Sequence, residues 1–347
     1  MNQLLKEFSK KTVLAYARAR QPRNYVGAGL FPIRNTNELS FEYWRAANLL
    51  PVMASLQAYG AEAQIASRDG AQKVSGEIPP IKRKIPLGER ELIALRREGA
   101  GDNDLVKNQL YNDLDNMIDS VNARIEKMRM DAVAFGALTL NENGVIMSVD
   151  YGVPAGNRET LQNADNLNGF WNFAAAQPIT KMQQWVDAVV AASGVQPTRA
   201  LTSNTVVAHL IRNAQVRTMI YGDQGGTRAV SINQLNELLA TLNLPQIVIH
   251  DLQVRVQAEG GALSTIRFFP STRMVFLPPT ALGDTLMGPT AEALLDTEVD
   301  AREASGIYAA VTQETEPPGI WTKASATSIP TFPMADSIFQ AVVLNEA

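Results

Sequence analysis

Residues 102–138 read DNDLVKNQLYNDLDNMIDSVNARIEKMRMDAVAFGAL, and the fold turns on them. Asp102 is a favoured helix N-cap, since its short side chain can accept an orphan N–H of the first turn. Behind it Val106, Leu110, Leu114, Met117, Ile118, Val121, Ile125, Met128, Ala132 and Phe135 recur in steps of three and four, which gathers them on one helix face. The spacing predicts one helix from Asp102 to about Leu138, with Leu110, Leu114, Ile118, Val121 and Ile125 as its core. Such a helix is about 50 Å long at 1.5 Å per residue. That length suits a spine across an elongated lobe. A coiled coil would need a partner stripe, and the chain has none.

Working outward, Asn143-Gly144 separates two strand-like runs, 137–141 and 145–150, and predicts a tight hairpin after the spine. Upstream, Pro79-Pro80 and Pro86 bracket Lys82, Arg83 and Lys84, and Arg90, Arg96 and Arg97 alternate with Glu89, Glu91 and Glu98. The interleaved glutamates favour salt bridges with acidic neighbours over a phosphate site. Further upstream, two short runs across 64–78 flank Asp69-Gly70, the dipeptide of a type I′ turn. Their residues, Gln64, Ser67, Arg68, Gln72, Lys73 and Ser75 among them, include few large apolar side chains, so the predicted hairpin should project and find support elsewhere. Residues 1–40, broken by Pro22, Gly27, Gly29 and Pro32, predict a short helix and then an extended arm that needs a partner surface.

Downstream, Ile179, Met182, Trp185, Val186, Val189 and Val190 mark an amphipathic helix opened by Pro178 and closed by Gly194. Shorter helices are expected at 204–213 and 232–242. Strands are expected at 246–250, 253–257, 263–269 and 273–277, the middle pair joined through Glu259-Gly260-Gly261. Residues 155–289 therefore predict a second α+β lobe. The tail 307–343 returns to strand-like sequence, expected to pair back with the hairpin near the spine.

The 347 residues suffice for two core-bearing lobes, and 46% hydrophobic against 19% charged residues marks a folded protein. With 31 Lys plus Arg against 35 Asp plus Glu the formal net charge is -4, which lacks the positive field of a dedicated nucleic-acid binder. Zero cysteines exclude disulfides, thiolate metal sites and cysteine nucleophiles, and fit a cytoplasmic origin. Residues 1–12 carry Lys6, Glu7, Lys10 and Lys11 without the apolar core and cleavage site of a secretory signal. No apolar run approaches the length of a membrane span.

Catalytic constellations are missing too. His209 and His250 share no metal-ligand spacing and read as structural or exposed. Gly222-Asp223-Gln224-Gly225-Gly226 lacks the Lys-Ser/Thr of a phosphate-binding loop and reads as a flexible loop. Asp113, Asp115 and Asp119 belong to the polar face of the spine and read as solvated or at an interface. Phe170, Trp171 and Phe173 have no basic groove around them and read as packing anchors. No catalytic residue, cofactor or metal is indicated.

The order of elements resembles the Hong-Kong-97-type capsid fold of tailed phages. More specifically, Ser67-Arg68-Asp69-Gly70 through Glu77-Ile78-Pro79-Pro80-Ile81-Lys82 to Leu92 and Arg97 is similar to the lambda-like major capsid protein E family. So are Asp300-Ala301-Arg302, Gly306, Trp321-Thr322 and the run from Ser328 through Pro333-Met334-Ala335-Asp336 to Val343. The middle, 155–290, matches in layout more than in wording.

The resemblance implies an α+β fold with an N-terminal arm (1–40), an extended hairpin or E-loop with its stem (41–98), and a peripheral domain with spine helix and strands (99–154). It further implies an axial domain (155–289) and return strands completing the peripheral domain (290–347). It also implies self-assembly into hexamers and pentamers of an icosahedral head enclosing DNA, made in the host bacterial cytoplasm. Arg68, Asp69, Gly70, Gln72, Lys73, Lys82, Arg83 and Lys84 would then be subunit-interface residues. Partners would be a separate scaffolding protein, since the arm begins almost at Met1, a portal, a decoration (cement) protein and non-specifically contacted DNA, with no membrane. A covalent Lys–Asn staple at Lys73, known in some relatives, finds no identifiable Asn or Glu partner here. The alternatives are an encapsulin-like compartment shell and, from another class, a soluble α+β binding protein or enzyme.

Overall fold

The computed structural model describes residues 9–20, 23–46, 53–60, 62, 71–91, 93, 102–222, 228–258, 260–295, 306–316 and 318–345. Among the described residues the first elements are helices α1 (Lys10–Ala19) and α2 (Val26–Leu30). Strands β1 (Ile33–Asn35), β2 (Ser40–Ala46), β3 (Ala71–Glu77) and β4 (Pro80–Gly88) follow. The long helix α3 (Asp102–Phe135) leads into β5 (Ala137–Glu142), β6 (Val145–Asp150) and β7 (Arg158–Thr160). Next come α4 (Pro178–Ser193), β8 (Arg199–Thr202), α5 (Asn204–Arg212), α6 (Ala214–Tyr221) and α7 (Ile232–Thr241). Strands β9 (Gln246–Ile249), β10 (Gln253–Gln257), β11 (Leu263–Arg267), β12 (Arg273–Leu277) and β13 (Thr285–Gly288) precede the short α8 (Ala291–Leu294). The chain closes with β14 (Tyr308–Thr315), β15 (Pro318–Pro330) and β16 (Phe339–Val342).

One compact unit comprises Met1–Phe41, Ser75–Arg129 and Gly283–Thr331. Its sheet is organised by β15. On one side β15 pairs antiparallel with β4, from Gly319↔Gly88 to Thr327↔Pro80. On the other it pairs with β14 and then β13, and β1 joins parallel to β13. The tail thus pairs with the stretch directly after β3. That stretch looked proline-broken in sequence, yet β4 is an edge strand, where Pro80 and Pro86 need give up no ladder bond on the open side. Along α3 the predicted stripe is inside: Leu110, Leu114, Ile118, Val121 and Ile125 are all buried.

The arm expected at 1–40 differs from the sequence reading. Within the described part, Val13, Leu14, Tyr25, Leu30, Phe31 and Phe41 are buried on their own chain. Leu14 of α1 joins a small core with Ala293, Tyr308 and Ala310. This part of the segment therefore packs within the subunit, where α1 meets β14 and the polar face of α3, while Ile33 and Leu39 stay exposed.

The other unit comprises Glu42–Val74, Met130–Leu282 and Phe332–Ala347. Its sheet runs β7-β16-β12-β8-β9, antiparallel where β12 meets β16 and β8, parallel at both edges. Trp185 of α4 is the centre of the core, with ring centroids 5.2 Å from Phe339, 5.8 Å from Phe276 and 5.8 Å from Trp171. Two separate hairpins, β5–β6 and β10–β11, complete the unit.

Here α3 stops at Phe135, short of the expected Leu138. Gly136 takes φ +64, and a Cβ there would lie 2.7 Å from both Arg158 Nη2 and Val153 Cγ2. Asn143 and Gly144 adopt the two positive φ values, 48 and 82, that a tight hairpin turn requires. The helix expected at 204–213 is followed directly by α6, which the sequence did not announce. Asn213 ends α5 in extended backbone while its side chain caps α6 through Gln215 N–H.

Strand β3 pairs with the upstream β2, and Ile78 N–H donates to Leu39 O at 2.8 Å. The turn expected at Asp69-Gly70, and with it Arg68, lies outside the described residues.

Candidate assembly surfaces and their buried braces

The most exposed large apolar residues among the described ones follow β2. Trp44 on β2 is 64% exposed. Beyond it Met53, Leu56 and Tyr59 are 92%, 102% and 107% exposed, on a stretch of backbone that belongs to no helix or strand. Large apolar side chains left in water make this stretch a candidate interaction surface. Lys73, across on β3, pairs with Glu42 at 2.6 Å and stands 5.9 Å from the Trp44 ring centroid, while Gln72 is exposed.

Beside these exposed residues β2 carries Arg45, which is 7% exposed and wholly engaged at its terminal nitrogens. Its Nη2 meets Asp336 Oδ1 at 2.6 Å, and its Nη1 donates to the carbonyls of Tyr151, at 3.0 Å, and Gly152. Asn157 Nδ2 donates to Asp336 O at 2.8 Å, and Phe332 N–H donates to the Tyr43 hydroxyl at 3.2 Å. Burial pushes the Asp336 carboxyl above its ordinary range, against the pull of Arg45. Alternate residues of β2 thus do opposite jobs: Arg45 is locked to its own unit, and Trp44 is free to meet another surface. Nothing in the spacing of Arg45 and Asp336 along the sequence points to this pair.

In the first unit the brace is Glu126 and Arg129 of α3. Glu126 is 0% and Arg129 4% exposed. Glu126 Oε1 accepts Gly27 N–H, and Glu126 Oε2 lies 3.5 Å from Arg129 Nη1. Arg129 Nε donates to Thr285 Oγ1 at 2.8 Å, and that hydroxyl donates to Phe31 O at 2.8 Å. Burial raises the Glu126 carboxyl and lowers the Arg129 guanidinium, each partly offset by the other. In sequence the two are indistinguishable from an ordinary exposed i,i+3 pair.

Of the aspartates read as solvated or at an interface, Asp115 and Asp119 are half-buried and Asp113 is buried. Arg20 meets Asp119 at 2.8 Å and Asp115 at 3.2 Å, and the Tyr16 hydroxyl donates to Asp115 Oδ1 at 2.9 Å. Asp113 is 4% exposed, and burial raises its carboxyl although Gln109 donates to it. Asp115 and Asp119 thereby seat α1.

The basic run lies along β4, with Lys82, Arg83 and Lys84 all exposed. Lys82 pairs with Glu292 at 2.9 Å, and Lys84 Nζ stands 4.3 Å from the Trp321 ring centroid. These contacts are local. They do not bring the three cations into one anion-binding cradle.

Phe170 and Trp171 are buried in the core, with Phe173 packed against it. His209 is in the last turn of α5, and His250 is 2% exposed after β9. The glycine-rich loop 223–227 lies outside the described residues. Among the described residues there is no group of three or more His, Asp and Glu that could hold a metal, and no helix long and apolar enough to cross a membrane.

This mixed α+β chain has the Hong-Kong-97-type capsid fold. A putative capsid protein of a prophage from E. coli CFT073 has a TM-score of 0.59 to this chain at 12% identity, covering 99% of this chain and 98% of that one. A phage-related protein from Bordetella bronchiseptica RB50 has a TM-score of 0.54 at 11% identity, covering 97% and 98%. The family described as phage major capsid protein E matches residues 13–343, and the chain belongs to that family. No curated protein matches it in sequence. Membership makes the chain a structural, capsid-forming protein of the virion that works as a lattice of its own copies and not as an enzyme.

Proposed function

We propose that the β2–β3 hairpin and residues 53–60 are the part of each subunit that lies over a neighbouring copy in the shell. The carrying observation is the exposure of Trp44, Met53, Leu56 and Tyr59 beside the buried anchor Arg45. Covering three or four such side chains contributes roughly 1.5–3 kcal/mol each, enough to tie folding of the shell to contact between copies. In this reading Arg68, Asp69, Gly70, Gln72 and Lys73 belong to the same interface. Lys82, Arg83 and Lys84 of β4 are subunit-interface residues in this reading as well.

Residues 155–289, which carry α4–α7, are then the axial lobe, meeting its copies around the five-fold and six-fold centres of pentamers and hexamers. The unit built on β15 and most of α3 is the peripheral lobe. A scaffolding protein, a portal, a decoration protein and the packaged DNA are the partners of such a subunit, and the host cytoplasm is where it assembles.

The test is to express the full chain alone and with its genomic neighbours and to image the products by negative stain. The triple variant Met53→Ser, Leu56→Ser, Tyr59→Ser should melt like the wild type as a free subunit and yield no closed shells. Shells at wild-type yield from a folded triple variant would overturn the assignment.

A further inference from the structure

Strands β10 and β11 form a hairpin that no third strand joins among the described residues, in register from Gln253↔Arg267 to Gln257↔Leu263. Gln253, Arg255, Gln257, Leu263, Ser264 and Thr265 are exposed, so little of the hairpin's own surface holds it in place. Its footing is at the root. Phe268 and Phe269, just past β11, are 2% and 0% exposed. Phe268 N–H donates to Leu252 O at 3.1 Å. Asp251 takes the Arg267 guanidinium on one carboxylate oxygen and the Asn204 N–H, at 2.9 Å, on the other.

His250 completes this root. Its N–H donates to Thr202 O at 2.8 Å, extending the β8–β9 ladder by one residue. Its ring stands edge-on to Phe268 with centroids 6.4 Å apart. The residue is 2% exposed, and neither ring nitrogen has a hydrogen-bond partner. A buried polar ring without partners is uncommon enough to call for a reason. Asp251, the carboxylate next in sequence, is already engaged by Arg267 and by Asn204 N–H, so it offers a cation on His250 only a partial counter-charge.

We propose that His250 is a proton-operated catch on the β10–β11 hairpin: as the neutral ring it stays packed against Phe268 and the root is closed, and as the cation it must reach water, which opens the root. Burial holds the ring's affinity for a proton below the ordinary value, with its own backbone and Asp251 offsetting only part. The sign follows. Above the open-state value near 6.5 neither state binds the proton and the closed root keeps its full stability. As pH falls below that value the open state binds the proton first, and closure weakens until the folded value is reached. At pH 5 the shift towards opening is up to about thirtyfold, the ratio that an open-state value of 6.5 gives when the closed state stays neutral.

The test is amide hydrogen exchange on the full-length wild type and on His250→Phe at pH 7.5 and 5, corrected for intrinsic rates and read by mass spectrometry. Wild-type peptides spanning 250–268 should lose protection by more than about tenfold, while β12 stays protected and His250→Phe shows no pH-dependent loss. Equal losses in both proteins, or none in the wild type, would overturn the proposal. Should His250→Phe fail to fold, the wild type still decides. The chain holds 2 histidines, and C2–H exchange of their imidazoles against pH reports each one separately. The His250 ring must titrate below the ordinary histidine value; a titration at or above that value refutes the catch.

Discussion

Glu126 Oε1 accepts the backbone N–H of Gly27 at 2.9 Å, and a Cβ at position 27 would lie 2.5 Å from the other oxygen of the same carboxylate. The carboxylate cannot retreat freely, because it is fully buried and Arg129 is its counter-charge. Gly27→Ala should therefore destabilise the free subunit by about 1–3 kcal/mol, measured by urea unfolding. A variant as stable as the wild type would show that the carboxylate has room to move.

The same carboxylate sets a pH dependence. Burial raises Glu126 above its ordinary 4.5, with Gly27 N–H and Arg129 acting against the rise. The folded chain thus holds this proton more tightly than the unfolded chain. The stability owed to Glu126 should increase as pH falls from the raised folded value towards 4.5 and be constant above it. Glu126→Gln keeps an acceptor for Gly27 and removes the titration. Denaturation across that window should move the stability difference in favour of the wild type as pH is lowered.

Arg45→Met leaves the buried Asp336 carboxylate without its cation and should cost about 3–5 kcal/mol. Adding Asp336→Leu should return much of that loss, since a buried ion pair can be replaced by apolar groups at little net cost. A double-mutant cycle on thermal or urea unfolding reads the coupling. Additive effects would mean that the two residues do not act as a pair.

Lys82 and Glu292 make the contrast, for the Lys82 side chain is 57% exposed. Lys82→Ser should cost under about 1 kcal/mol. Burial pushes Glu292 up, but the hydrogen bond from Lys82 and the charges of Lys82 and Lys323 outweigh it and hold the carboxyl below its ordinary value. Its small stabilisation is present above the ordinary value and lost as pH falls through the folded one. In Lys82→Ser that acid-side loss should shrink.

Lys73 reports on the hairpin. In the subunit it is half-exposed between Glu42 and Trp44. Its amine should react more slowly with an acylating reagent once copies assemble, and again after any expansion of the shell. Peptide mapping of labelled particles reads this, and unchanged reactivity would count against the hairpin interface.

The parts legible in the sequence were those whose physics is local. The α3 stripe, the Asn143-Gly144 turn and the Pro178 start of α4 each depend on residues a few positions apart. Long-range pairing was not legible. Strand β2 is the partner of β3 across a long intervening stretch, and Asp336 is far from Arg45 in sequence. Strand β4 was masked by prolines that only an edge strand tolerates. The aspartates of α3 had the composition of a wet surface, and only the fold shows that Tyr16 and Arg20 pair with Asp115 and Asp119.

The outer edge of β4 faces away from β15 with Lys82, Arg83 and Lys84 between Pro80 and Pro86. Two such edges repel by charge, and the prolines lack the N–H groups a new ladder would need. A chain obliged to accumulate at high concentration before it closes into a particle is thereby denied the easiest wrong way of meeting itself, edge-to-edge stacking into open-ended fibrils.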